Sequence, residues 1–243
     1  MAIRYRNGKT HRAPQKLTPN CEICERLGNP HFVDRGETKG ASQLSGFSFR
    51  TFSPQENLFE EGQPANGVYC LYSGNVKILK RGAQNQEHLL RIQQPGQMVG
   101  LGVFSTDVYP HTAVAMTSVE ACFIPTTILL DVLQEDSTLS VQVMQMLCKE
   151  IELIETRLTS FTKRTARERV AETLLDLKKA CGTDKDKFLN ILLSWEELAS
   201  YAGTSRATLQ RLMNDFKRRN LIRVRKRKIQ MLNLEQLTQI AGG

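Results

Sequence analysis

The stretch SWEELASYAGTSRATLQRLMNDFKR, residues 194–218, determines the fold expected for the C-terminal part of the chain. Ser194 and Glu197 have the spacing of a capping box, which predicts the start of a helix. Gly203 permits the left-handed turn that ends this helix, and the Thr-Ser pair that follows can cap a second one. Apolar residues recur at intervals of three and four, namely Leu198, Ala199, Ala202, Leu209, Leu212, Met213 and Phe216. We therefore predict two short helices joined by a tight turn.

The second predicted helix has a polar outer face that fits the major groove of DNA. Arginine can bond guanine O6 and N7 with both arms of its guanidinium, and a short helix fits between the two backbones. An ordinary helical hairpin is the alternative, but the combination of cap, glycine turn and outward arginine favours a helix-turn-helix. The residues that we predict to contact DNA are Ser205, Arg206, Ala207, Thr208, Gln210 and Arg211.

Positive charge is concentrated around this segment. Residues 163–228 hold eighteen Lys or Arg and eight Asp or Glu, whereas residues 45–162 hold seven and twelve. The net charges are therefore +10 and −5, in a chain whose total is +8. Neutralising phosphates releases counterions and supplies most of the sequence-independent affinity for nucleic acid. The asymmetry predicts that a polyanion binds the C-terminal part.

A basic, alternating segment follows the two predicted helices. LIRVRKRKIQML, residues 221–232, alternates apolar and basic residues around Lys226 and Arg227. This pattern predicts a two-stranded wing. Its basic edge is expected to lie on backbone phosphates, which positions a protein on DNA without reading the sequence.

Glycine-punctuated, β-prone segments predict an antiparallel roll between residues 46 and 125. With 243 residues and 40% hydrophobic content, the chain can bury a sizeable core. We predict an α+β fold in four parts. These are a basic arm with a CxxC pair (1–45), a β-roll sensor domain (46–136), a dimerisation helix (137–163) and a winged helix-turn-helix DNA-binding domain (164–243).

The predicted long helix carries a heptad seam. Six apolar residues are spaced 3, 4, 3, 4 and 3 apart: Met144, Leu147, Ile151, Ile154, Leu158 and Phe161. One helix cannot bury such a stripe alone, so we predict that it pairs with its copy in a homodimer. Two DNA-reading heads would then bind a double-stranded operator with two-fold symmetry.

Composition excludes several other classes of protein. No apolar run approaches membrane-spanning length, and the basic N-terminus lacks the hydrophobic core of a secretory signal, so we expect a cytoplasmic protein with no membrane partner. Six cysteines then favour free thiols, metal ligands or redox sensors over a disulfide framework. We do not expect this protein to be an enzyme, because the four histidines lack metal-ligand spacing and the sequence has no nucleophile elbow.

These parts, in this order, resemble the Crp/Fnr transcription regulators. The resemblance rests on LFEEGQPANGVYCLYSGNVKI and PGQMVGLGVFS in the roll, VEACFIP at its end, the reader TSRATLQRLMNDFKRRNLI and the tail LEQLTQIAG, which looks like that of Fnr proteins. It implies a cyclic-nucleotide-binding-like jelly roll, a long dimer helix and a winged helix-turn-helix. The resemblance also implies that the protein regulates transcription through RNA polymerase, and we expect an activator. Gln84–Glu87 is a candidate loop for contact with the polymerase.

The roll departs from the cyclic-nucleotide binders of this family. Relatives similar to the cAMP receptor hold the phosphate with a Gly-Glu-Leu turn and an Arg-Ser pair. Here the turn reads Gly100-Leu101-Gly102 and the pair is His111-Thr112. An apolar Leu101 and a mostly neutral His111 leave a buried phosphate uncompensated, so we expect no cyclic nucleotide to bind.

The Fnr branch instead carries an oxygen-labile iron–sulfur cluster on N-terminal cysteines and one roll cysteine. This chain has Cys21 and Cys24 in CEIC, and Cys122 in VEACFIP matches the roll cysteine. The resemblance thus implies a [4Fe-4S] cluster on Cys21, Cys24 and Cys122 that makes the regulator redox- or oxygen-responsive. The fourth ligand is unidentified, because Pro30 stands where Fnr proteins have another cysteine and the motif is not matched by His31, Asp34 or Cys70.

Several alternatives to a cluster stay open. A lone CxxC pair can bind zinc, form a reversible disulfide or have no role, and Cys122 can be a small buried residue. The regulator would then respond to thiol oxidation, another small ligand or its own abundance. We expect the other roll and helix cysteines to be structural, with Cys148 buried beside the seam.

The reader helix also departs from the family pattern. Arg206 and Arg211 match positions that contact guanine or phosphate, and Ser205 and Thr208 match backbone-contacting positions. Ala207 stands where both the cAMP receptor and Fnr proteins typically have Glu. A carboxylate accepts from cytosine N4, whereas alanine can only touch a thymine methyl. We therefore expect a half-site that differs from TGTGA and TTGAT.

The seam predicts a dimer in every state. Ile154 is apolar where an Fnr-type switch places an acidic group, and burying two copies favours pairing by up to several kcal/mol. Glu150 and Glu155 are expected to meet like charges across a parallel dimer, which opposes pairing by only about half a kcal/mol. Any signal would then change the geometry of the DNA heads and leave the subunit number unchanged.

Overall fold

Two four-stranded antiparallel sheets form the N-terminal part of the structure. This computed structural model describes residues 48–82, 86–191 and 193–242. The strands are β1 (Ser48–Phe52), β2 (Asn57–Phe59), β3 (Gly67–Ser73), β4 (Val76–Arg81), β5 (Glu87–Gln93), β6 (Met98–Val99), β7 (Thr112–Ala115) and β8 (Val119–Pro125). One sheet has the order β1-β8-β3-β6 and the other the order β2-β7-β4-β5, so the predicted roll is confirmed.

Strand alternation sends one set of side chains between the two sheets and the other set outward. The inner set forms one apolar cluster that includes Tyr69, Leu71, Val76, Ile78, Ala113 and Ala115. The outer face of the first sheet is covered by α1 (Thr126–Glu135) and by the start of the long helix α2 (Ser137–Lys163). Beneath these helices lie Val68, Cys70, Met98, Cys122 and Ile124.

The helix α2 begins at a side-chain cap and continues to the start of the C-terminal part. The Asp136 carboxylate accepts from the backbone amides of Thr138 and Leu139, which satisfies two of the orphan donors of the first turn. The helix ends at Lys163, and Arg164 is extended. The long helix expected from the heptad pattern is therefore present.

The C-terminal part is a helix-turn-helix followed by a wing, as predicted. Its elements are α3 (Ala166–Cys181), α4 (Trp195–Tyr201), α5 (Arg206–Arg218), β9 (Ile222–Arg225), β10 (Lys228–Met231) and α6 (Leu234–Ile240). The predicted capping box of Ser194 and Glu197 starts α4, and a second box of Thr165 and Glu168 starts α3. Strands β9 and β10 pair as an antiparallel hairpin.

One apolar cluster joins the second sheet to the helix-turn-helix. Leu79, Leu89 and Ile92 of the roll share it with Leu198 and Ala199 of α4. Each Å² of apolar surface removed from water contributes about 25 cal/mol, so this shared cluster stabilises the packing of α4 on the roll. The first helix of the helix-turn-helix therefore packs directly on the roll.

Two residues of α2 have surroundings in the single chain that differ from those expected in a dimer. Cys148, expected to be buried beside the seam, is exposed in the single chain. Glu150, expected to meet like charge across the seam, turns toward the roll, where its carboxylate accepts from Gln93 at 2.5 Å and lies 3.6 Å from Arg91. The end of β5 supplies these polar partners, which heptad spacing alone does not predict.

In the ranges 48–82, 86–191 and 193–242, no helix is both long and apolar enough to cross a bilayer.

Candidate nucleic-acid interface

The predicted reader helix, α5, is the reading helix of this interface and has one buried and one exposed side. Leu209, Leu212, Met213 and Phe216 are buried, as predicted from their spacing. Ser205 is the N-cap, and its hydroxyl oxygen accepts from the Thr208 amide at 3.2 Å. Of the six predicted DNA contacts, Thr208 is half-buried and the others are exposed: Ser205, Arg206, Ala207, Gln210 and Arg211.

The turn before the reading helix is held from two sides. Gly203 has φ +60°, and a Cβ atom at this position would lie 2.6 Å from a ring carbon of Phe161. Arg169 of α3 donates to the carbonyls of Ala202 at 3.1 Å, Gly203 at 2.8 Å and Arg164 at 2.6 Å. The end of α2, the start of α3 and the turn are therefore connected, which orients the reading helix.

Arg206, the first residue of α5, is paired with the helix before it. Its Nη1 lies 2.5 Å from Oε1 of Glu196 in the first turn of α4. The two side chains are 64% and 57% exposed, so the pair faces solvent. Sequence spacing did not indicate this ion pair, because its partners lie on different helices.

The wing presents a second group of cations. Lys228 pairs with Asp184 at 2.8 Å. Lys226 and Arg227 form the tip of the hairpin, with φ of 47° and 67°. Asn-Gly adopts this type of turn more easily than Lys-Arg, and strained residues of this kind concentrate at functional sites. The exposed cations of the wing are Arg223, Arg225, Lys226 and Arg227.

A buried ion pair fixes the first helix of the helix-turn-helix to the roll. Lys77 of β4 is 5% exposed, and its ammonium group donates to Glu197 at 2.6 Å and to Gln55 at 3.2 Å. The other carboxylate oxygen of Glu197 accepts from the Ser194 amide at 2.7 Å. One carboxylate therefore completes the cap of α4 and binds the roll. A lysine in an alternating strand is usually solvent-facing, so the sequence did not indicate this role.

Arg157 of α2 makes a second connection between the roll and the helix-turn-helix. It donates to the Leu90 carbonyl of β5 and, at 2.6 Å, to the Tyr201 carbonyl of α4. Its guanidinium also lies 3.5 Å from the centre of the Tyr201 ring. Burial raises the pKa of the Tyr201 hydroxyl. The long helix, the roll and the helix-turn-helix thus meet at one arginine.

Aromatic packing occupies the roll beside the Gly100 turn. The Tyr109 ring stacks on Phe59 with centroids 3.8 Å apart, and its hydroxyl donates to the Gly67 carbonyl at 2.6 Å. A Cβ atom at Gly100 would lie 3.2 Å from the Tyr109 ring. Burial raises the pKa of Tyr109 to about 12, so this side chain is an uncharged, packed part of the interior.

His111 directly precedes β7 and is half-buried. Burial, followed by the nearby cations Arg91 and Lys80, lowers its pKa to about 4, while Glu61 acts in the opposite direction. The imidazole is therefore neutral at pH 7. A neutral ring at this position offers no cation to a buried phosphate.

Of the three predicted metal ligands, one lies within the described residues. Cys21 and Cys24 lie outside the described residues. Cys122 of β8 is buried and stands directly opposite Cys70 of β3 in the antiparallel register. Directly opposed residues have Cβ atoms about 4.5–5.5 Å apart. Cys181, expected to be structural, is buried, which raises its pKa to about 12.

The six predicted seam residues of α2 have different surroundings. Leu147 packs partly against the roll, and Phe161 contacts the turn at Gly203. Four others are exposed in the single chain by 47% to 57%, namely Met144, Ile151, Ile154 and Leu158. The middle of α2 therefore presents an apolar stripe to solvent.

Two family models match the chain. The model described as a cyclic nucleotide-binding domain matches residues 49–136, and the model described as a Crp-like helix-turn-helix domain matches residues 168–240. Together they cover about two thirds of the sequence. The first includes both sheets and α1, and the second includes the reading helix and the wing.

Known proteins are similar over most of the chain. The transcriptional activator protein anr of Pseudomonas aeruginosa is 27% identical over 197 residues, 80% of each chain. The CRP-like cAMP-activated global transcriptional regulator of Mycobacterium tuberculosis is 28% identical over 193 residues, 78% of this chain and 86% of its own. The structure of FixK2 from Bradyrhizobium japonicum matches with a TM-score of 0.69 at 19% identity, covering 82% of this chain and 98% of FixK2, which shows a shared fold. Both sequence relatives are named as regulators of transcription and not as enzymes.

Proposed function

Because the chain belongs to the Crp/Fnr superfamily of DNA-binding transcription regulators, we propose that two copies bind a two-fold symmetric operator and that the roll makes this binding redox- or oxygen-responsive. The proposal of DNA binding rests on one observation, the exposed, arginine-bearing face of α5, which is oriented by its N-cap and by the turn at Gly203. The proposed contacts are Ser205, Arg206, Ala207, Thr208, Gln210 and Arg211.

The operator half-site follows from these side chains. Arg206 and Arg211 are the candidates for guanine, because a guanidinium can donate twice to O6 and N7. Ala207 offers a methyl group, which favours contact with a thymine methyl over acceptance from cytosine. The wing cations lie on phosphates and add affinity for any duplex. The preferred half-site therefore differs from TGTGA and TTGAT.

Pairing through α2 brings the two heads together. The exposed apolar stripe of this helix has the periodicity of a coiled-coil seam. Glu150 is held by Arg91 and Gln93 of its own chain, so it opposes pairing less than heptad spacing implies. The homodimer is therefore proposed to persist in all states, with RNA polymerase as the further partner of an activator. Such a regulator acts in the cytoplasm, where bacterial DNA lies.

Cyclic nucleotide is excluded from the proposed signal. One relative is named as cAMP-activated, but in this chain Leu101 and a neutral His111 stand where that chemistry needs an anion and a cation. Tyr109 also packs beside the Gly100 turn. These features favour a roll that binds no anionic nucleotide.

The donor set fits a [4Fe-4S] cluster. Cys122 and Cys70 are opposed on adjacent strands, and their soft sulfur atoms are suitable ligands for iron together with Cys21 and Cys24. Within the described ranges, His, Cys, Asp and Glu form no group of three that could hold a metal, so the arm cysteines are needed. We assign Cys70 as the fourth ligand in place of the cysteine replaced by Pro30. The cluster would supply oxygen-labile redox chemistry.

Anaerobic purification tests the signal. We expect a broad absorption near 400 nm that bleaches in air, with iron and sulfide in equal amounts. Cys70→Ser and Cys122→Ser should each lower the iron content, whereas Cys148→Ser, which changes an exposed cysteine, should not. Colourless, iron-free protein would contradict the cluster. If that protein contains zinc, the cysteines form a zinc site. If it contains no metal, thiol oxidation, another ligand or abundance is favoured as the signal.

Sedimentation and DNA titration test the dimer independently of the cofactor. Ile154→Glu places two charges in the seam and should dissociate the dimer, because a buried unpaired charge is strongly unfavourable. Leu130→Glu changes an exposed apolar residue of α1 and serves as the control. If Ile154→Glu protein still binds as two copies per operator, the α2 seam is not the interface.

A further inference from the structure

Glu196 connects the first helix of the helix-turn-helix to the first residue of the reading helix. Its Oε1 lies 2.5 Å from Nη1 of Arg206. Glu196 occupies the first turn of α4, where the helix dipole favours a carboxylate. Arg206 occupies the corresponding end of α5, where the dipole disfavours a cation. The carboxylate therefore compensates a charge that its own helix does not stabilise.

The ion pair leaves one edge of the guanidinium available to DNA. Arginine has five N–H donors in a rigid plane. With Nη1 held by Glu196, Nε and Nη2 still point along the other edge and can donate together to guanine O6 and N7. A side chain already fixed in its plane loses less conformational entropy on binding. Glu196 can thus prepare Arg206 for two-donor recognition.

The replacement at position 207 makes this carboxylate more important. The first turn of α5 contains no acidic residue, since Ala207 occupies the neighbouring position. The carboxylate beside Arg206 comes instead from α4, across the turn. Because the turn is held at Gly203 by Phe161 and Arg169, the spacing between the two helices is defined.

We propose that Glu196 is a positioning residue for DNA specificity, which sets the strength of guanine preference at the base pair that Arg206 reads. The inference rests on the proposed function, because it requires α5 to lie in the major groove. The same carboxylate would be repelled by backbone phosphates, so it also lowers the affinity for all duplexes. Glu196 thus increases discrimination and decreases general affinity.

The test uses the full chain and selection from random duplexes, followed by titration of the selected operator. Four proteins are compared with the wild type: Glu196→Gln, Glu196→Ala, Arg206→Ala and Glu235→Gln. Glu235→Gln is the matched control, since it also removes an exposed carboxylate from the first turn of a helix in the same domain. Thermal unfolding of each variant checks that the fold is retained.

We expect both Glu196 variants to lower the guanine preference at one base pair of each half-site by roughly 3–10-fold, part of what a two-donor contact supplies. Affinity for non-specific duplex should rise about two-fold, because one negative charge near the backbone is gone. Preferences at the other base pairs should not change, and the melting temperature should fall by no more than it does for Glu235→Gln, which also loses a first-turn carboxylate. Glu235→Gln should behave as the wild type.

The outcomes separate this inference from the function on which it rests. If Arg206→Ala removes the guanine preference and the Glu196 variants keep it, Glu196 does not position Arg206, although α5 still reads DNA. If Arg206→Ala leaves every base preference intact, Arg206 does not recognise a base, and Glu196 cannot act through it. A larger fall in melting temperature for the Glu196 variants than for Glu235→Gln, or a loss spread evenly over the operator, would show a structural role and contradict the proposal.

Discussion

Gly203 combines two constraints at a single residue. Its φ of +60° favours glycine, and the Phe161 ring occupies the space that a side chain would need. Gly203→Ala should therefore be destabilising by about 1 kcal/mol for the backbone and about 1–3 kcal/mol more for overpacking. Chemical denaturation measures the sum.

Phe161→Ala provides the control for this prediction, because it removes the ring that an added Cβ would meet. In the Phe161→Ala background, Gly203→Ala should show only the backbone strain and no overpacking. If Gly203→Ala is equally destabilising with and without the Phe161 ring, the Phe161 contact has no energetic consequence.

His111 predicts a dependence of stability on pH. Its pKa is about 4 in the folded chain and near 6.5 when unfolded, because burial and then Arg91 and Lys80 disfavour its charge, although Glu61 favours it. Between these values the unfolded chain binds more protons, so the free energy of unfolding falls as pH falls from 6.5 to 4. Because the ring is only half-buried and solvent screens part of the effect, the loss should be about 1–3 kcal/mol.

Denaturation at several pH values checks this, with His111→Gln as the test variant. The variant lacks the titrating group and should lose less stability than the wild type on acidification. His88→Gln, which changes an exposed histidine, should follow the wild type. Identical pH profiles for wild type and His111→Gln would refute the assignment.

At the scale of elements, the helix-turn-helix and wing could be predicted because their signals are local. The Ser194–Glu197 box, the glycine turn and the spacing of Leu209, Leu212, Met213 and Phe216 all act within one element or its neighbour. Heptad spacing likewise predicted a long helix. The same spacing placed Glu150 at a dimer flank, although β5 supplies its partners. A periodic pattern identifies a face but not what covers it.

The wing illustrates an element whose turn residues favour function over stability. Replacing Lys226 and Arg227 by Asn and Gly supplies the residues that prefer the observed turn, so the free energy of unfolding should rise by about 1 kcal/mol. DNA binding should weaken, because two cations are lost. If both contact phosphates in each chain, the slope of log affinity against log salt should fall by about two per chain, or about four for the dimer.

A change on the strand away from the tip separates charge from turn geometry. Arg225→Gln removes one exposed cation and leaves the hairpin turn intact. It should lower the salt slope by about one per chain at most, or about two for the dimer, without a change in stability. Unchanged affinity and slope for the Lys226→Asn, Arg227→Gly double variant would show that the tip does not touch DNA.

At the scale of the whole molecule, the roll and the DNA-binding part are joined by contacts that sequence patterns did not reveal. Lys77 and Glu197 lie 120 residues apart, and their pairing depends on how two independently recognisable units dock. The opposition of Cys70 and Cys122 likewise depends on strand register. Reading-helix residues could be predicted because exposure follows from local periodicity, whereas these pairs depend on tertiary packing.

The Lys77–Glu197 pair should contribute strongly to docking. Lys77→Met leaves a poorly solvated carboxylate without its cation, and should be destabilising by about 3–5 kcal/mol. Lys77→Met combined with Glu197→Gln removes both charges and should recover part of this loss. Lys80→Met is the control, because the Lys80–Glu61 pair is more exposed and should contribute less than about 1 kcal/mol. Similar losses for Lys77→Met and Lys80→Met would contradict the importance of the buried pair.

The central claim is that the exposed face of α5 reads base edges, and selection of bound sequences from a random duplex library tests it most directly. Wild-type protein should enrich a two-fold symmetric site, and Arg211→Ala should lose preference at one base pair per half-site, with a penalty of about 1–3 kcal/mol there. Enrichment of no sequence by the wild type, or an even loss over all sequences for Arg211→Ala, would contradict the account.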